Sequence, residues 1–254
     1  MILQDQVAII TGATSGIGRA TAVAMAKEGA KVLICGRDER KGQEVKEEIG
    51  QLNGEAVFCK IDLLDPEAPE QAVGLAARKW GRIDIVVNNA AMICNKPMEE
   101  VTRSDWDQLL DTNLKAPFFL VQHALTWLKR SKGCVVNVSS INSVKNDYNN
   151  LVYDAIKAAL NHMTSGMALD LREHGIRCNA ILPAGVDTPL LNKWLHQKFN
   201  ESPNQLEQVT NELQRDPAIA RPEQIADAIV FLASDKASWV NGAHIRLDGG
   251  YTIR

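Results

Sequence analysis

A tyrosine and a lysine four residues apart, Tyr153 and Lys157, have the clearest capacity for chemistry in this sequence. On a helix this spacing places both side chains on one face. A free phenol titrates near ~10, and an ammonium about 4 Å away contributes roughly 4 kcal/mol at an effective dielectric near 20, or about three pKa units. The pair therefore predicts a phenol that exchanges protons near neutral pH. A solvated helix face that carries the same spacing by chance is the alternative.

Two polar residues extend this pair. Ser140 follows an apolar run and is expected at the end of a strand, where its hydroxyl can donate to a substrate oxygen. Asn113 lies four residues before Pro117, which has no N–H, so the carbonyl of Asn113 is predicted to hold a water that connects Lys157 to solvent. Taken singly, Ser140 as a strand-end cap and Asn113 as a polar kink are the alternatives. Together the four residues favour a catalytic set.

A glycine-rich turn, G-x-x-x-G-x-G, follows the first apolar run. Glycine lets the backbone turn tightly and lets a pyrophosphate approach the free N–H groups at a helix start, where the dipole favours negative charge. A tight turn without a ligand is the alternative, but the position between a first strand and a first helix favours a ligand with phosphates. The residues predicted to bind it are Gly12, Thr14, Ser15, Gly16, Ile17 and Gly18.

The elements that must position these residues alternate along the chain. Short apolar runs predict strands buried on both faces, and amphipathic stretches between them predict helices. The strands are expected at 7–11, 32–35, 56–61, 83–88, 134–139, 176–182 and 243–247, and the helices at 17–28, 38–49, 66–80, 102–130 and 153–174. Such alternation predicts an α/β fold with a doubly wound parallel sheet of Rossmann type.

One stretch, 187–221, differs from the rest because it is rich in Gln, Asn and Glu. Its apolar residues from Leu190 to Leu195 recur at helical spacing, which predicts two short helices that form a small lid over the carboxyl ends of the strands. A surface excursion or a subunit contact is the alternative. No linker of biased composition appears, so residues 1–254 are interpreted as one domain.

Composition excludes several partners and functions. The net charge is -3, from 28 basic and 31 acidic residues without long runs of one sign, so neither nucleic acid nor an anionic membrane is an expected partner. The first apolar run is too short for a signal peptide or a membrane span. Five scattered cysteines without C-x-x-C spacing predict buried thiols in a reducing compartment, so we expect a soluble, cytoplasmic protein. Neither G-x-S-x-G nor H-E-x-x-H occurs, which disfavours a hydrolase, and no metal site is predicted.

With these motifs in register, the sequence resembles the short-chain dehydrogenase/reductase family over essentially its whole length. The matching positions are the 11–18 turn, Asp62, Asn88, Asn89, Ala90, Asn113, Ser140, Tyr153, Lys157, the 183–188 segment and the closing Asp248, Gly249 and Gly250. Two positions depart from the family pattern. Ala91 and Ala184 stand where the family usually has glycine, and each adds a methyl group beside the expected cofactor.

The resemblance implies hydride transfer between a nicotinamide dinucleotide and the carbonyl or secondary alcohol of a small substrate. It makes Tyr153 the proton donor or acceptor, and it makes Ser140 the residue that holds the substrate oxygen. Lys157 would bind the nicotinamide ribose and lower the phenol pKa, and Asn113 would carry the relay water. The further cofactor contacts that the resemblance implies are Asp62, Leu63, Asn89, Ala90, Pro183, Val186 and Thr188. A homo-oligomer, tetramer or dimer, is also implied.

The end of the second strand bears on the choice of dinucleotide. An acid there would bind the adenosine ribose hydroxyls and select NAD. This position is Gly36, followed by Arg37, with Arg40 and Lys41 close behind. A guanidinium pairs well with a 2'-phosphate, so NADP(H) is favoured, with NAD(H) as the alternative. If Arg37 is only a solvated side chain at a helix start, it indicates no preference between NADP(H) and NAD(H).

The loops expected to line the pocket, 92–98, 141–152 and 187–199, mix several asparagines with Leu190 and Trp194. This mixture favours a hydroxylated or otherwise polar substrate, although loop polarity also follows from solvent exposure. Two other readings of the fold stay open. A methyltransferase would need an acid after the second strand, which is missing. A catalytically silent dinucleotide-binding or scaffold protein would tolerate loss of the reacting set, which is present here.

Overall fold

A computed structural model describes residues 1–199 and 219–253, and its centre is a parallel sheet of seven strands in the order β3-β2-β1-β4-β5-β6-β7. The strands are β1 Val7–Thr11, β2 Lys31–Gly36, β3 Ala56–Lys60, β4 Ile85–Asn88, β5 Cys134–Val138, β6 Arg177–Pro183 and β7 His244–Leu247. The strand order reverses between β1 and β4, which creates a crevice at their carboxyl ends. The predicted doubly wound, Rossmann-type sheet in a single domain is confirmed.

Helices cover both faces of this sheet. They are α1 Gly16–Lys27, α2 Glu39–Gln51, α3 Ala68–Trp80, α4 Arg103–Leu110, α5 Ala116–Ser131, α6 Leu151–Asp170, α7 Pro189–Lys198 and α8 Pro222–Ala233. One core cluster joins the sheet to α1, α2 and α8, and a second joins the other face to α3, α5 and α6. β1 and β5 are buried along their whole length, and most of their residues are apolar, as the continuous runs of Val and Ile predicted. Thr11 and Asn137 are their buried polar residues.

The predicted helix 102–130 is divided into α4, a π-helical turn and α5. Thr102 and Asp105 form a capping box at the start of α4. The wide turn spans Asp111–Lys115, where the N–H of Ala116 bonds back to the carbonyl of Asp111. Pro117 follows directly, and a residue without an N–H cannot continue the regular ladder, so the backbone widens before it.

Two further elements differ from the sequence predictions. The predicted helix 153–174 begins at Leu151 and ends at Asp170, and a short 3-10 turn, Arg172–His174, leads to Gly175 with φ 71°. α8 was not predicted, although Pro222 at its first position is typical of a helix start. α7 confirms the first of the two short helices predicted in 187–221. The prediction of the second falls on 200–218, outside the described residues.

The two ends of the lid stretch are joined by backbone pairing. Val186 and Ala220 form an isolated parallel bridge. The N–H of Asp187 donates to the carbonyl of Ala220, and the N–H of Ala220 donates to the carbonyl of Gly185, each at 2.9 Å. Residues 185–187, just after β6, therefore lie beside Ala220.

All five cysteines are buried free thiols, as predicted. Within the described ranges, no helix has both the length and the apolar character to cross a bilayer.

Candidate active site

A cavity of about 750 Å³, within the usual range of ligand pockets, opens at the carboxyl edge of the sheet. It extends from the end of β2 past the glycine turn to the first turn of α6 and to α7. All the residues predicted for the site line this cavity except Gly18 and Asn113. The fold therefore brings together segments that are separated by more than a hundred residues in the sequence.

The glycine turn is closed by contacts within the protein. Gly12 and Gly16 have positive φ, 63° and 52°, which side chains rarely adopt. A Cβ added to Gly18 would lie 2.3 Å from the carbonyl oxygen of Gly12. Asn89 Nδ2 donates to the carbonyls of Thr11 and Gly12, at 2.9 and 3.2 Å. Gly18 therefore permits the turn to pack, whereas Gly12 and Gly16 also face the cavity.

The N-terminus of α1 has the chemistry required for a phosphate. Ser15 is the N-cap residue, but its side chain makes no capping hydrogen bond, and the first turn contains no acidic residue. The first N–H groups of a helix lack intrahelical partners, and the dipole favours an anion there. A dinucleotide pyrophosphate fits this donor set because Gly12, Ser15, Gly16 and Ile17 line the cavity beside it.

At the far end of the cavity, Gly36 closes β2, and a Cβ there would lie 2.6 Å from Thr14 Cγ2. An acidic side chain at this position would displace Thr14. Arg37 Nη1 lies 3.7 Å from Asp62 Oδ2, and both side chains are substantially exposed, at 67% and 47%. Such exposed pairs contribute about 0 to 1 kcal/mol, so Arg37 can exchange this partner for another anion at little cost.

One carboxylate near this end was overlooked in the sequence. Asp38 lines the cavity two residues beyond Gly36, so the end of β2 is not free of acids. Its Oδ1 accepts a hydrogen bond from the N–H of Lys41 at 3.1 Å, which caps α2, and Lys41 Nζ lies 3.9 Å from Oδ2. The capping position of Asp38, three residues before Lys41, is the signal that could have found it.

Tyr153 and Lys157 share one face of α6, as their spacing predicts. Both are buried, with 9% and 1% of their surface exposed, and Lys157 Nζ lies 5.6 Å from the Tyr153 ring centroid. The ammonium donates to the carbonyl of Val138 at 2.8 Å, and Ser139 Oγ donates to the carbonyl of Lys157 at 3.2 Å. The end of β5 thus fixes the side chain and the backbone of Lys157.

The predicted lowering of the phenol pKa is wrong in this structure. Burial raises the pKa of Tyr153 to about 12, although a hydrogen bond with Ser140 opposes this shift. Burial also lowers the pKa of Lys157 to about 7, so its ammonium is only partly populated at neutral pH. Removal from water disfavours both charged forms and is the largest cause of each shift.

Ser140 and Asn113 support the site in different ways. Ser140 Oγ accepts a hydrogen bond from the N–H of Asn142 at 3.1 Å, which leaves its hydroxyl hydrogen free to donate. The Asn113 side chain is buried and bonds twice to the backbone of Met92, at 2.7 and 2.9 Å. Met92 lines the cavity, so Asn113 holds part of its wall. The Asn113 carbonyl, for which a water was predicted, lies in the π-helical turn.

Tyr251 also lines the cavity and was missed by the sequence reasoning. It lies in a short 3-10 turn after Gly250, and Lys145 Nζ lies 4.5 Å from its ring centroid. The position of Tyr251 depends on the path of the chain after β7, and no sequence motif indicates that path. Tyr251 lies three residues after Asp248, which the sequence did identify, and this closeness along the chain is the only sequence signal for it.

Fold and site together define a class of protein: a dinucleotide-dependent oxidoreductase with a doubly wound sheet. A family model described as enoyl-(acyl carrier protein) reductase matches residues 12–252. A 3beta-hydroxysteroid dehydrogenase of Mediterraneibacter gnavus is 34% identical, with 98% of this chain and 95% of that protein covered. The chain belongs to the short-chain dehydrogenase/reductase family. It is an oxidoreductase that acts with a nicotinamide dinucleotide on alcohol or keto groups.

Solved structures agree with this assignment. The crystal structure of levodione reductase has a TM-score of 0.91 and 30% identity to this chain, with 99% of both chains covered. L-sorbose reductase from Gluconobacter frateurii, solved with NADPH and L-sorbose, has a TM-score of 0.90 and 26% identity, with 98% of both chains covered. Similarity over nearly the whole length includes the α1 turn and the helix that carries Tyr153.

Proposed function

We propose that this enzyme transfers hydride between NADP(H) and the carbonyl or secondary alcohol of a small polar substrate, with Tyr153 as the acid and base. One observation carries the proposal: Tyr153, one turn from Lys157 on α6, lines the same cavity as Ser140 and the uncapped N-terminus of α1. The nicotinamide ring, when bound, supplies or accepts the hydride.

In the reducing direction, the Ser140 hydroxyl donates a hydrogen bond to the carbonyl oxygen and fixes it beside Tyr153. A phenol with a pKa of about 12 is fully protonated at neutral pH, so Tyr153 holds the proton that this oxygen requires. Lys157, with a pKa of about 7, exchanges protons readily near neutrality and can return one to Tyr153. The hydrophobic cluster that contains Tyr153 and packs against Trp194 excludes water from this side.

The preference for NADP(H) rests on Arg37. Its guanidinium lies at the cavity end that receives the adenosine ribose, and its present pairing with Asp62 is long and exposed. Asp38 is committed to capping α2 and is near Lys41, so its charge is partly offset. A related enzyme, L-sorbose reductase, was solved with NADPH.

A polar substrate is favoured by the residues that loop 141–150 contributes to the cavity. Side chains of Asn142, Lys145, Asp147 and Asn150 line it together with Trp194. Sugar-sized polyhydroxylated ketones are the first class to test, since L-sorbose reductase acts on such a compound. We also propose a cytoplasmic location and a homo-oligomeric assembly.

Replacement of Tyr153 tests the catalytic role. Tyr153→Phe removes only the hydroxyl, so turnover should fall by roughly 100- to 10,000-fold, the range that general acid catalysis typically contributes. The affinity for NADPH should stay within about twofold. The measurement is loss of NADPH absorbance with a panel of ketoses, keto acids and cyclic ketones, beside fluorescence titration of NADPH. Tyr148→Phe, which changes an exposed tyrosine in the adjacent loop, is the matched control.

Turnover by Tyr153→Phe equal to that of the unchanged enzyme would refute the assigned role. Tight dinucleotide binding without turnover of any compound by the unchanged enzyme would favour the catalytically silent alternative.

Replacement of Arg37 tests the choice of dinucleotide. A hydrogen bond to a charged group contributes about 1.5–3 kcal/mol, so Arg37→Ser should lower kcat/KM for NADPH by roughly 10- to 100-fold. The value for NADH should change less than threefold. Arg40→Ser, which removes an exposed arginine one turn away that pairs with Glu44, should leave both values unchanged. Equal losses for NADPH and NADH in Arg37→Ser would contradict a 2'-phosphate contact.

A further inference from the structure

The residue after the catalytic tyrosine, Asp154, is a buried carboxylate that gathers three hydrogen bonds from one loop. Its Oδ1 accepts from Asn142 Nδ2 and from Asn150 Nδ2, each at 2.8 Å, and its Oδ2 accepts from the N–H of Asp147 at 2.9 Å. Only 3% of Asp154 is exposed. One carboxylate on α6 therefore holds the start, the middle and the end of the loop 141–150.

This arrangement costs the protein hydrogen bonds elsewhere, which argues against an incidental contact. Asn150 is the N-cap residue of α6, and asparagine at an N-cap usually accepts from the first turn of its helix. Its amide is instead turned to donate to Asp154, so α6 has no side-chain cap and Asn150 Oδ1 is buried without a partner among the described residues. Unpaired buried acceptors are costly, so the bond to Asp154 is favoured over the cap.

Asp154 also lacks a cation in contact, within the ranges that the structure describes. The nearest charged groups on the loop are Asp147, whose carboxylate lies 3.2 Å from Lys198 Nζ, and Lys145, which lies over Tyr251. The hydrogen-bond donors of the loop therefore stabilise the buried charge. Such charge-assisted bonds are roughly twice as strong as neutral ones.

The loop held in this way faces the substrate side of the cavity. Asn142, Lys145, Asp147 and Asn150 all line it. The main-chain N–H of Asn142 also donates to Ser140 Oγ, and the carboxylate of Asp147 bonds to Lys198 at the end of α7. Movement of this loop would therefore change the wall of the pocket, the anchor of Ser140 and one attachment of the lid.

We propose that Asp154 is a positioning residue that fixes loop 141–150 as the substrate-binding wall and thereby sets substrate affinity. The proposal rests on the proposed function for its kinetic consequence, but the position of the loop is a physical property of the protein itself. Asp154 acts through Asn142, Asn150 and Asp147 and does not touch the reacting atoms.

The test compares Asp154→Ala and Asp154→Asn with Asp170→Asn, which makes the same chemical change at an exposed end of α6. Brief trypsin treatment of each folded protein, followed by mass spectrometry, gives the rate of cleavage after Lys145 in the loop relative to cleavage after Lys46 in α2. Asp154→Ala should raise this ratio at least tenfold. Asp154→Asn keeps one acceptor oxygen and should give an intermediate ratio, and Asp170→Asn should give the ratio of the unchanged protein.

Kinetics provide the second readout. With the best compound of the panel, Asp154→Ala should lower kcat/KM at least tenfold, mainly through KM, whereas the affinity for NADPH should stay within twofold. If Asp154→Ala does not fold, Asn142→Ala removes one donor, leaves the carboxylate in place and should shift both readouts in the same direction. The proposal would be overturned if none of these variants raised the cleavage ratio. It would also be overturned if the loss of kcat/KM came from weaker binding of NADPH. Absence of turnover by the unchanged enzyme would count against the proposed function alone. The cleavage ratio would still test whether Asp154 fixes the loop, because it does not depend on turnover.

Discussion

Depth of burial, rather than the distance between two charges, decides the protonation of Tyr153 and Lys157, the pair proposed for catalysis. Tyr153 is neutral with a pKa of about 12, and Lys157 titrates near 7, because both lie almost fully inside the protein. The spacing of four residues correctly places them on one helix face. It carries no information on solvent exposure, and desolvation is the larger effect here.

The lowered pKa of Lys157 predicts a pH dependence of stability. The unfolded lysine binds a proton below pH ~10.4 and the folded one only below about 7, so between these values the unfolded state binds more protons and stability rises with pH. Lys157→Met removes this contribution. From pH 7 to 9.5 the unfolding free energy of the unchanged protein should rise relative to Lys157→Met by up to roughly 3 kcal/mol, from about 1.36 kcal/mol per pKa unit.

Urea unfolding at both pH values measures this difference. Lys129→Met, which removes an exposed ammonium from α5, is the matched control and should follow the unchanged protein. Parallel pH curves for Lys157→Met and the unchanged protein would show that burial does not shift this lysine.

At the scale of elements, local patterns predicted the structure wherever local interactions determine it. The glycine turn forms as expected because positive φ at Gly12 and Gly16 and the close contact at Gly18 are properties of those positions. The division of helix 102–130 was less visible, since Pro117 indicates a disturbed ladder but not whether the backbone kinks or widens.

α6 combines two functions that the sequence showed only in part. Tyr153 and Lys157 were identified by their spacing. Asp154 between them matches no motif, because an acid in a first helical turn is common. Its partners Asn142 and Asn150 stand in a loop whose conformation no local pattern specifies. The role of Asp154 therefore follows from the structure alone.

At the scale of the molecule, two helices on one side of the sheet carry several exposed apolar side chains. Phe118 and Phe119 on α5 are 41% and 42% exposed, and Leu151 and Leu169 on α6 are 54% and 63% exposed. Both helices cover the same side of the sheet. Clustered exposed apolar residues are typical of a protein–protein interface, which supports the proposed homo-oligomer.

Negative charge introduced on the exposed face of α5 should separate the subunits of the proposed homo-oligomer. The double change Phe118→Glu and Phe119→Glu would bury two carboxylates in any subunit contact across α5. The variant should therefore sediment as a single chain of 27.9 kDa, and the unchanged protein should sediment as a multiple of that mass. Phe231→Glu on α8, which is equally exposed but covers the opposite face of the sheet, is the control and should leave the assembly intact. Monomeric behaviour of the unchanged protein in sedimentation velocity would refute the oligomer.

The sequence by itself determined the parallel sheet, the glycine turn before α1 and the order along the chain of the residues proposed for catalysis. These follow from hydrophobic periodicity and from motifs whose members are close along the chain, where geometry is set within a few residues. Tertiary structure decided how deeply Tyr153 and Lys157 are buried, that Asp38 reaches the cavity, and that Asp154 accepts hydrogen bonds from loop 141–150. Each of these depends on which distant segments exclude water or supply hydrogen bonds, and that information appears only when the chain has folded.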